Sequence, residues 1–377
     1  MMWKPIIAAA VLSSVLLQGC STRQLPPPSG VSQAVYFDAN WRTKVNGDSG
    51  EQTETYNIVP QGDTLTLVTN RGAVYELLQS NGLQVKHIDT QMKPSAGVSR
   101  DGDRVFFGTY DGELVAVSLA DESVLWRKTL TSEILSETGN GEGRVAALTG
   151  DGWLTVMDAS TGETLWRDKE DLPALTVRGT TAPVIVDGKV IAGFASGKVK
   201  AYNLQTGDQI WEYAVGKPEG RYEIERLTDV SGRFVIANNM LYSVAYNGTV
   251  TALAMQTGRP VWQRNISSAV GVAVQGNELA VIDQDNVVYS LNARNGSTLW
   301  QNDTLQGRDL ASPVFYKDYV AVLDRGGWIH LMNRETGVTE AWTLADSRRP
   351  AGSRMVSNDE QLFILTPTAN VTALHYW

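Results

Sequence analysis

The residues that could carry chemistry in this sequence are few and widely separated. Its three histidines, His87, His330 and His375, lie far apart along the chain and show no metal-ligand spacing. The 377 residues include one cysteine, Cys20, which excludes an internal disulfide and a cysteine-rich metal site. A net charge of −9 without a basic stripe argues against nucleic acid as a partner. We therefore expect no metal, no cofactor and no catalytic residue.

Cys20 stands at the end of a secretory signal. Residues 1–19 contain a basic start at Lys4, an apolar run from Ile6 to Leu17 and a small residue before the cysteine. This run is too short to span a bilayer stably. The residues Leu17-Gln18-Gly19-Cys20 resemble the bacterial lipobox, in which a signal peptidase cuts before the cysteine and the thiol receives diacylglycerol. The alternative is a signal anchor with an incidental cysteine, which the box and its position oppose.

The segment after Cys20 is expected to connect a lipid anchor to a folded body. Ser21 rather than aspartate follows the cysteine, and this resembles lipoproteins forwarded to the outer membrane. Residues 20–33 include Pro26-Pro27-Pro28, and proline favours an extended chain. We expect a cleaved signal at 1–19, a tether at 20–33 and a folded domain at 34–377, held on the periplasmic face of the membrane.

One pattern recurs from Tyr36 onward. It consists of a two-residue turn, a glycine, and a tryptophan that in most copies follows that glycine by four residues. The tryptophans are Trp126, Trp166, Trp211, Trp262, Trp300 and Trp342; the turns are Asp111-Gly112, Asp151-Gly152, Ser196-Gly197, Asn247-Gly248, Asp285-Asn286 and Gly326-Gly327. Such pairs accept positive φ and form β-hairpins. Each unit therefore predicts an antiparallel meander whose last strand begins at the tryptophan.

The repeats predict an all-β, eight-bladed β-propeller with four antiparallel strands in each blade. A spacing of about 40–45 residues suits such a blade. A degenerate copy begins at Arg71-Gly72 with Lys86 in place of tryptophan, and Ala369-Asn370 forms the eighth turn. The last unit lacks its tryptophan strand, so the segment around Trp41 should complete it and close the ring. We interpret the tryptophans as wedges between blades rather than as functional residues.

Two stretched repeats indicate where a partner would bind. The spacings Trp166 to Trp211 (45 residues) and Trp211 to Trp262 (51 residues) are the longest. We place the extra residues after the tryptophan strand, in connections that emerge side by side on one face. The first insertion spans 171–179 and the second spans 219–230.

The first insertion supports two interpretations. Leu175 and Val177 alternate with polar residues and Arg178 follows, and an apolar stripe with arginine is typical of a binding hot spot. Equally, Leu175 and Val177 could begin a blade strand, with Arg178 bracing the loops by pairing with Glu225 or Asp229.

The lipobox, the eightfold tryptophan repeat and the two insertions together resemble the BamB family, the propeller lipoproteins of the β-barrel assembly machinery. The specific segments are Leu172–Gly179 and Glu223–Val230. The resemblance implies a non-enzymatic scaffold at the outer membrane that binds the periplasmic POTRA domains of BamA, assists insertion of outer-membrane β-barrels and contacts their unfolded chains.

By this resemblance, the BamA-binding residues are Leu175, Val177, Arg178, Asp229 and Arg226. Val177 stands where the family has leucine. Ser231 stands where a second aspartate is expected, which weakens the case for Asp229.

Two other functions share the propeller fold. A pyrroloquinoline-quinone dehydrogenase resembles the repeat, but its vicinal disulfide cannot be made from Cys20 alone. The second alternative is a propeller lipoprotein that recruits another partner in the cell envelope. Only the identity of the two insertions separates it from a member of the BamB family. The Gly-His and Trp-Asp marks of WD repeats are absent.

Overall fold

The chain folds into β-strands connected by tight turns. The computed structural model describes residues 25–28, 31, 33–47, 56–176, 181–216, 221–222, 226–345 and 354–376; Cys20 and the expected signal peptide lie outside them. These described residues contain 32 strands in eight four-stranded sheets. No helix among them has the length and apolar character needed to cross a membrane.

Each sheet is one blade, and seven of the eight described blades use four consecutive strands. Blade 1 contains β2 (Val59–Gln61), β3 (Thr64–Val68), β4 (Ala73–Leu78) and β5 (Gln84–Asp89); blade 2 contains β6 (Ser99–Asp101), β7 (Arg104–Gly108), β8 (Glu113–Ser118) and β9 (Ser123–Thr129). Blade 3 contains β10 (Gly139–Gly141), β11 (Arg144–Leu148), β12 (Trp153–Asp158) and β13 (Thr164–Lys169). Blade 4 contains β14 (Val184–Val186), β15 (Lys189–Gly193), β16 (Lys198–Asn203) and β17 (Gln209–Ala214).

The second half of the ring repeats this arrangement. Blade 5 contains β18 (Val230–Ala237), β19 (Met240–Ala245), β20 (Val250–Ala254) and β21 (Pro260–Arg264). Blade 6 contains β22 (Val272–Gln275), β23 (Glu278–Ile282), β24 (Val288–Asn292) and β25 (Thr298–Asn302). Blade 7 contains β26 (Val314–Tyr316), β27 (Tyr319–Leu323), β28 (Trp328–Asn333) and β29 (Thr339–Leu344). Blade 8 contains β30 (Arg354–Ser357), β31 (Leu362–Leu365), β32 (Asn370–Tyr376) and β1 (Phe37–Lys44).

The ring closes through blade 8, which takes strands from both ends of the chain. The N-terminal strand β1 pairs antiparallel with β32, with Phe37 opposite Tyr376 and Lys44 opposite Asn370. The predicted eight-bladed propeller and its closure are confirmed. Because β1 occupies the place of a fourth strand, closure gives blade 8 the same strand complement as the other blades.

The first strands of neighbouring blades contact one another and enclose a central channel. Side chains on or beside these strands cross the blade boundaries to bond backbone carbonyls. Asn57 Nδ2 donates to the Val98 oxygen at 2.9 Å, and Ser357 Oγ donates to the Phe315 oxygen at 2.7 Å. Buried aliphatic side chains of the second and third strands fill the space between blades. The core is therefore a series of layers between adjacent sheets.

Tryptophans on the fourth strands lock adjacent blades together. Trp166 Nε1 donates to the carbonyl of Leu204 in the next blade at 2.9 Å. A Cβ at Gly207 would lie 2.8 Å from this indole, so the glycine is needed for close approach as well as for its φ of +77°. The same bond joins Trp41 to Gln79, Trp126 to Ala159, Trp211 to Met255, Trp262 to Ala293 and Trp300 to Arg334. The structural interpretation is confirmed for these tryptophans, although their strands begin two to four residues before the tryptophan. Trp342 is the exception, because its buried Nε1 has no hydrogen-bond partner among the described residues.

The boundary between blades 1 and 2 uses different residues for the same contact. Lys86 replaces the tryptophan, and its Nζ donates to the Leu119 carbonyl, the position that accepts the indole elsewhere. Glu122 occupies the glycine position with a φ of 51°. Because no indole lies against it, Glu122 can carry a side chain where six other boundaries contain glycine against tryptophan. Lys86 in place of tryptophan and Glu122 in place of glycine are therefore one coupled exchange.

The hairpins between second and third strands and the connections between blades emerge on the same side of the ring, which we call the loop face. Glu170 N, at the start of one connection, donates to Gly152 O in such a hairpin at 3.1 Å. Val215 N donates to Gly197 O at 2.9 Å in the next blade. Each of these connections therefore begins packed against the hairpin of its own blade.

Part of the proline-rich segment lies against blade 7 on the loop face. Trp328 Nε1 donates to the Leu25 carbonyl at 2.9 Å, and Arg308 Nη2 donates to the Pro26 carbonyl at 2.8 Å. A Cβ at Gly326 would lie 2.8 Å from Leu25 Cβ, so a larger residue would push the segment away. The expected tether thus contacts the propeller in its described part.

A buried carboxylate positions the arginine in this contact. Asp324 accepts from Arg308 Nε at 2.5 Å and lies 3.0 Å from His330 Nε2, with both Asp324 and His330 fully buried. Burial acts to raise the pKa of Asp324, but hydrogen bonds from His330 and Arg308 outweigh it and hold the pKa below its usual value. The charged carboxylate therefore persists and fixes the orientation of the guanidinium.

Candidate functional site

Two of the connections on the loop face, those on either side of blade 4, correspond to the predicted insertions. The first runs over 170–183 from blade 3 to blade 4, and the second over 215–229 from blade 4 to blade 5. The sequence interpretation placed all of the extra length in these connections. The structure places part of it inside β18, which has eight residues and an irregular register between Ser231 and Val235.

The start of the first insertion is fixed to blade 4 by a buried ion cluster. Glu170 lies 2.5 Å from Lys200 Nζ and 3.6 Å from Lys198 Nζ, and accepts from Ser196 Oγ at 2.8 Å. Burial acts to raise the pKa of Glu170, but bonds from Lys200 and Ser196 outweigh it, so the pKa is lowered. The sequence analysis missed this cluster because its members come from two blades.

Beyond this fixed point the first insertion exposes apolar side chains. Leu172 is 43% exposed and Leu175 is 45% exposed, both far above what burial in a blade would give. Leu175 belongs to no strand in the structure, which disfavours the alternative that it begins one. Val177 and Arg178 lie outside the described residues, so their positions remain predictions.

The second insertion contacts the same hairpin of blade 4 from the other side. Val230 N, at its end, donates to Phe194 O at 3.3 Å. A buried bond also joins the two insertions, because Thr181 Oγ1 donates to the Val230 carbonyl at 2.9 Å. The expectation that the insertions lie side by side is confirmed for these described residues.

The two predicted residues of the second insertion differ sharply in exposure. Arg226 is exposed, whereas Asp229 is only 1% exposed. The backbone of Asp229 accepts from Tyr246 N at 2.9 Å, so this residue is tied into blade 5. Tyr222, which the sequence analysis did not single out, is 69% exposed beside them in the chain. A direct contact with a partner therefore suits Arg226 and Leu175 better than Asp229.

The described residues contain no group of three or more His, Cys, Asp or Glu side chains that could hold a metal ion. Asp111-Gly112 and the other turn pairs lie in the second hairpins, where Gly112 N bonds back to Thr109 O at 3.1 Å. Among the described residues of the two insertions, the loop face exposes Leu172, Leu175, Tyr222 and Arg226.

The geometry defines a β-propeller of the pyrroloquinoline-quinone-repeat type whose distinguishing surface is a pair of braced insertions. The sequence model of the family described as outer membrane protein assembly factor BamB matches residues 70–302 and 284–376. The chain therefore belongs to the BamB family.

Relatives of known sequence and structure agree with this assignment. A BamB from Shewanella oneidensis is 30% identical over 95% of this chain and 95% of its own length. The crystal structure of BamB from Moraxella catarrhalis is 25% identical and superimposes with a TM-score of 0.78, covering 89% of this chain and 99% of that one. A quinohemoprotein alcohol dehydrogenase from Pseudomonas putida, 11% identical with a TM-score of 0.68 over 90% of this chain and 76% of its own, shares the fold alone.

Proposed function

We propose that this chain is a non-enzymatic scaffold of the outer-membrane β-barrel assembly machinery. In this proposal residues 1–19 are removed, Cys20 carries lipid on the periplasmic face of the outer membrane, 20–33 is the tether and 34–377 is the propeller. The propeller binds the POTRA domains of BamA and assists the insertion of outer-membrane β-barrels. Membership of the BamB family, whose members are named assembly factors, supports this role.

The proposed contact surface consists of Leu175, Val177, Arg178 and Arg226, with Asp229 supporting the loop from beneath. The observation that carries it is the exposure of Leu175 on an insertion whose base is fixed by Glu170. An exposed aliphatic side chain on a rigid support loses little entropy on binding, which favours recognition. Arginine beside it supplies a planar set of donors for a partner's carboxylate or backbone.

The test is co-purification of the soluble chain, starting after Cys20, with the periplasmic region of its BamA. We expect capture by wild type and loss of capture by Arg178→Glu and Leu175→Asp. A central anchor contributes about 2 kcal/mol or more, which is a weakening of about 30-fold. Leu299→Asp is the matched control, because Leu299 is 50% exposed on β25, away from the insertions.

The outcomes separate the partner from the site. Capture by all variants keeps BamA as the partner and rejects this surface. Absence of capture by wild type rejects BamA as the partner. Equal loss in Leu299→Asp shows that a charge on any exposed aliphatic position disturbs binding, and the surface is then not specific.

A further inference from the structure

Three charged side chains from different blades meet in the central channel. Arg233 of blade 5 donates to Glu137 of blade 3 through both Nη2 (2.8 Å) and Nε (3.3 Å). Arg354 of blade 8 approaches the same carboxylate, with its Nη2 3.8 Å from Oε1. Two cations thus share one anion, which leaves the cluster with a net charge of +1.

The backbone is specifically shaped to place Arg233 in this cluster. In β18, Ser231 pairs with Val244 while Val235 pairs with Tyr242, so extra residues bulge out of the ladder between them. A bulge of this kind redirects a side chain that would otherwise follow the strand alternation. Gly232 permits it with a φ of +67°, and a Cβ there would lie 2.4 Å from Gly271 Cα in the next blade.

Arg354 is the cation in this cluster whose charge is less well compensated by Glu137. Its 3.8 Å separation from Glu137 exceeds hydrogen-bond distance, and its guanidinium makes no other hydrogen bond to the described residues. Its side chain is 19% exposed, so part of it faces open space. Burial lowers the pKa of Arg354; Glu137 acts against this, and the nearby Arg233 cation acts with it. A guanidinium has five donors in a plane, and an anion would satisfy those left over.

The open space beside Arg354 is a cavity of about 470 Å³ between the first strands of blades 5 to 8. Its polar groups include Arg233, Arg354 and Asn57, and the partly exposed apolar residues Val274, Val314 and Val356 also line it. The volume is that of sites for small organic ligands. Among the described residues no carboxylate belongs to its lining, and the cluster of Arg233, Arg354 and Glu137 beside it carries a net charge of +1, so the local potential favours an anion.

We propose that the central channel binds an organic carboxylate, whose anionic group pairs with Arg354 and whose apolar body lies against partly exposed lining residues such as Val314 and Val356. The planar fork of arginine matches a carboxylate with two parallel hydrogen bonds. The carboxylate brings the local charge from +1 to zero. Its source is either a small molecule or the C-terminus of a polypeptide, since both present the same group.

Phenylacetate is a suitable probe, and phenylacetamide is its uncharged control of the same shape. Binding is measured by ligand-observed NMR and calorimetry on the full mature chain in detergent, where partition of the probe into micelles is the same for every variant. We expect a dissociation constant on the order of 1 mM for phenylacetate and binding about tenfold weaker or more for phenylacetamide.

Substitutions at the cluster should move the affinity in opposite directions. Arg354→Gln removes the surplus cation and should weaken phenylacetate binding by about tenfold or more. Glu137→Gln raises the local charge from +1 to +2 and should strengthen binding several-fold. Arg325→Gln is the control, because Arg325 forms an exposed ion pair with Asp309 at 2.7 Å outside the channel.

The proposal is overturned if wild type does not bind phenylacetate, or if Arg354→Gln and Arg325→Gln bind it equally. It is also overturned if Glu137→Gln in a folded protein leaves binding unchanged or weaker. Should Arg354→Gln fail to fold, the Glu137→Gln comparison decides alone. Acetyl-glycyl-phenylalanine with a free C-terminus, compared with its amide, identifies the source: tighter binding than phenylacetate assigns a polypeptide C-terminus, and weaker binding assigns a small molecule.

Discussion

The exchange at the first blade boundary predicts that Lys86→Trp and Glu122→Gly are strongly coupled. An indole at position 86 would meet the Cβ of Glu122 in the geometry seen elsewhere, where a Cβ at Gly162 would lie 2.7 Å from Trp126. Ordinary contacts of this kind are about 3.4–4 Å, and overpacking costs about 1–3 kcal/mol. Lys86→Trp alone should therefore lower the free energy of unfolding by about that amount.

The second substitution removes the obstacle. Glu122→Gly eliminates the Cβ and also suits a φ of 51°, a conformation that costs a non-glycine residue about 1 kcal/mol. With glycine present, the indole can donate to the Leu119 carbonyl in place of Lys86 and bury additional apolar surface. The double variant should be at least as stable as wild type, with a coupling free energy of about 2 kcal/mol.

Urea unfolding of the wild type, both single variants and the double variant gives the double-mutant cycle. The denaturant slopes must agree for the free energies to be compared. Effects that add within about 0.5 kcal/mol would refute the reasoning, because independent sites behave in that way. Gly162→Glu beneath Trp126 is the converse control and should be destabilising.

Two further predictions concern stability. Gly232→Ala should lower the melting temperature much more than Gly276→Ala. Both glycines have positive φ (67° and 61°), but only at Gly232 would the added Cβ meet a neighbour, Gly271 Cα at 2.4 Å. Equal shifts of the melting temperature in calorimetry would contradict this. Burial lowers the pKa of His330 below 6.5, against the opposing effect of Asp324, so below about pH 6.5 the unfolded chain binds more protons than the folded one, and the free energy of unfolding should fall with the pH. Urea titrations at pH 7 and 5.5 should show a smaller pH dependence of this free energy in His330→Gln. An unchanged pH dependence would exclude His330 as its origin.

The blade count and ring closure could be predicted because their signals are local and periodic. The turn pair, the glycine and the tryptophan lie within one repeat, so spacing alone identifies them. The approximate positions of the insertions followed from the same spacing. The bulge in β18 did not, because extra length in a repeat does not say whether it belongs to a loop or to a strand.

Contacts between blades could not be predicted from local patterns in the sequence. Glu137, Arg233 and Arg354 are brought together by ring geometry, and nothing in their sequence neighbourhoods marks them. Likewise, the sequence placed Asp229 among the contact residues, with a weaker case than Leu175, whereas packing of the second insertion buries it at 1% exposure. Lys86 was visible in the sequence as a departure from the tryptophan pattern, but its coupling to Glu122 required knowing that the two residues face each other.

If Cys20 carries lipid as proposed, the bonds from Trp328 and Arg308 to Leu25 and Pro26 shorten the link between that lipid and the propeller. The link would then run from Cys20 to Leu25, a length of chain that spans about 18 Å when fully extended. The propeller would consequently lie close to the membrane in a preferred orientation, with its loop face toward the lipid. A partner that engages the insertions on that same face would have to enter the narrow layer between propeller and bilayer.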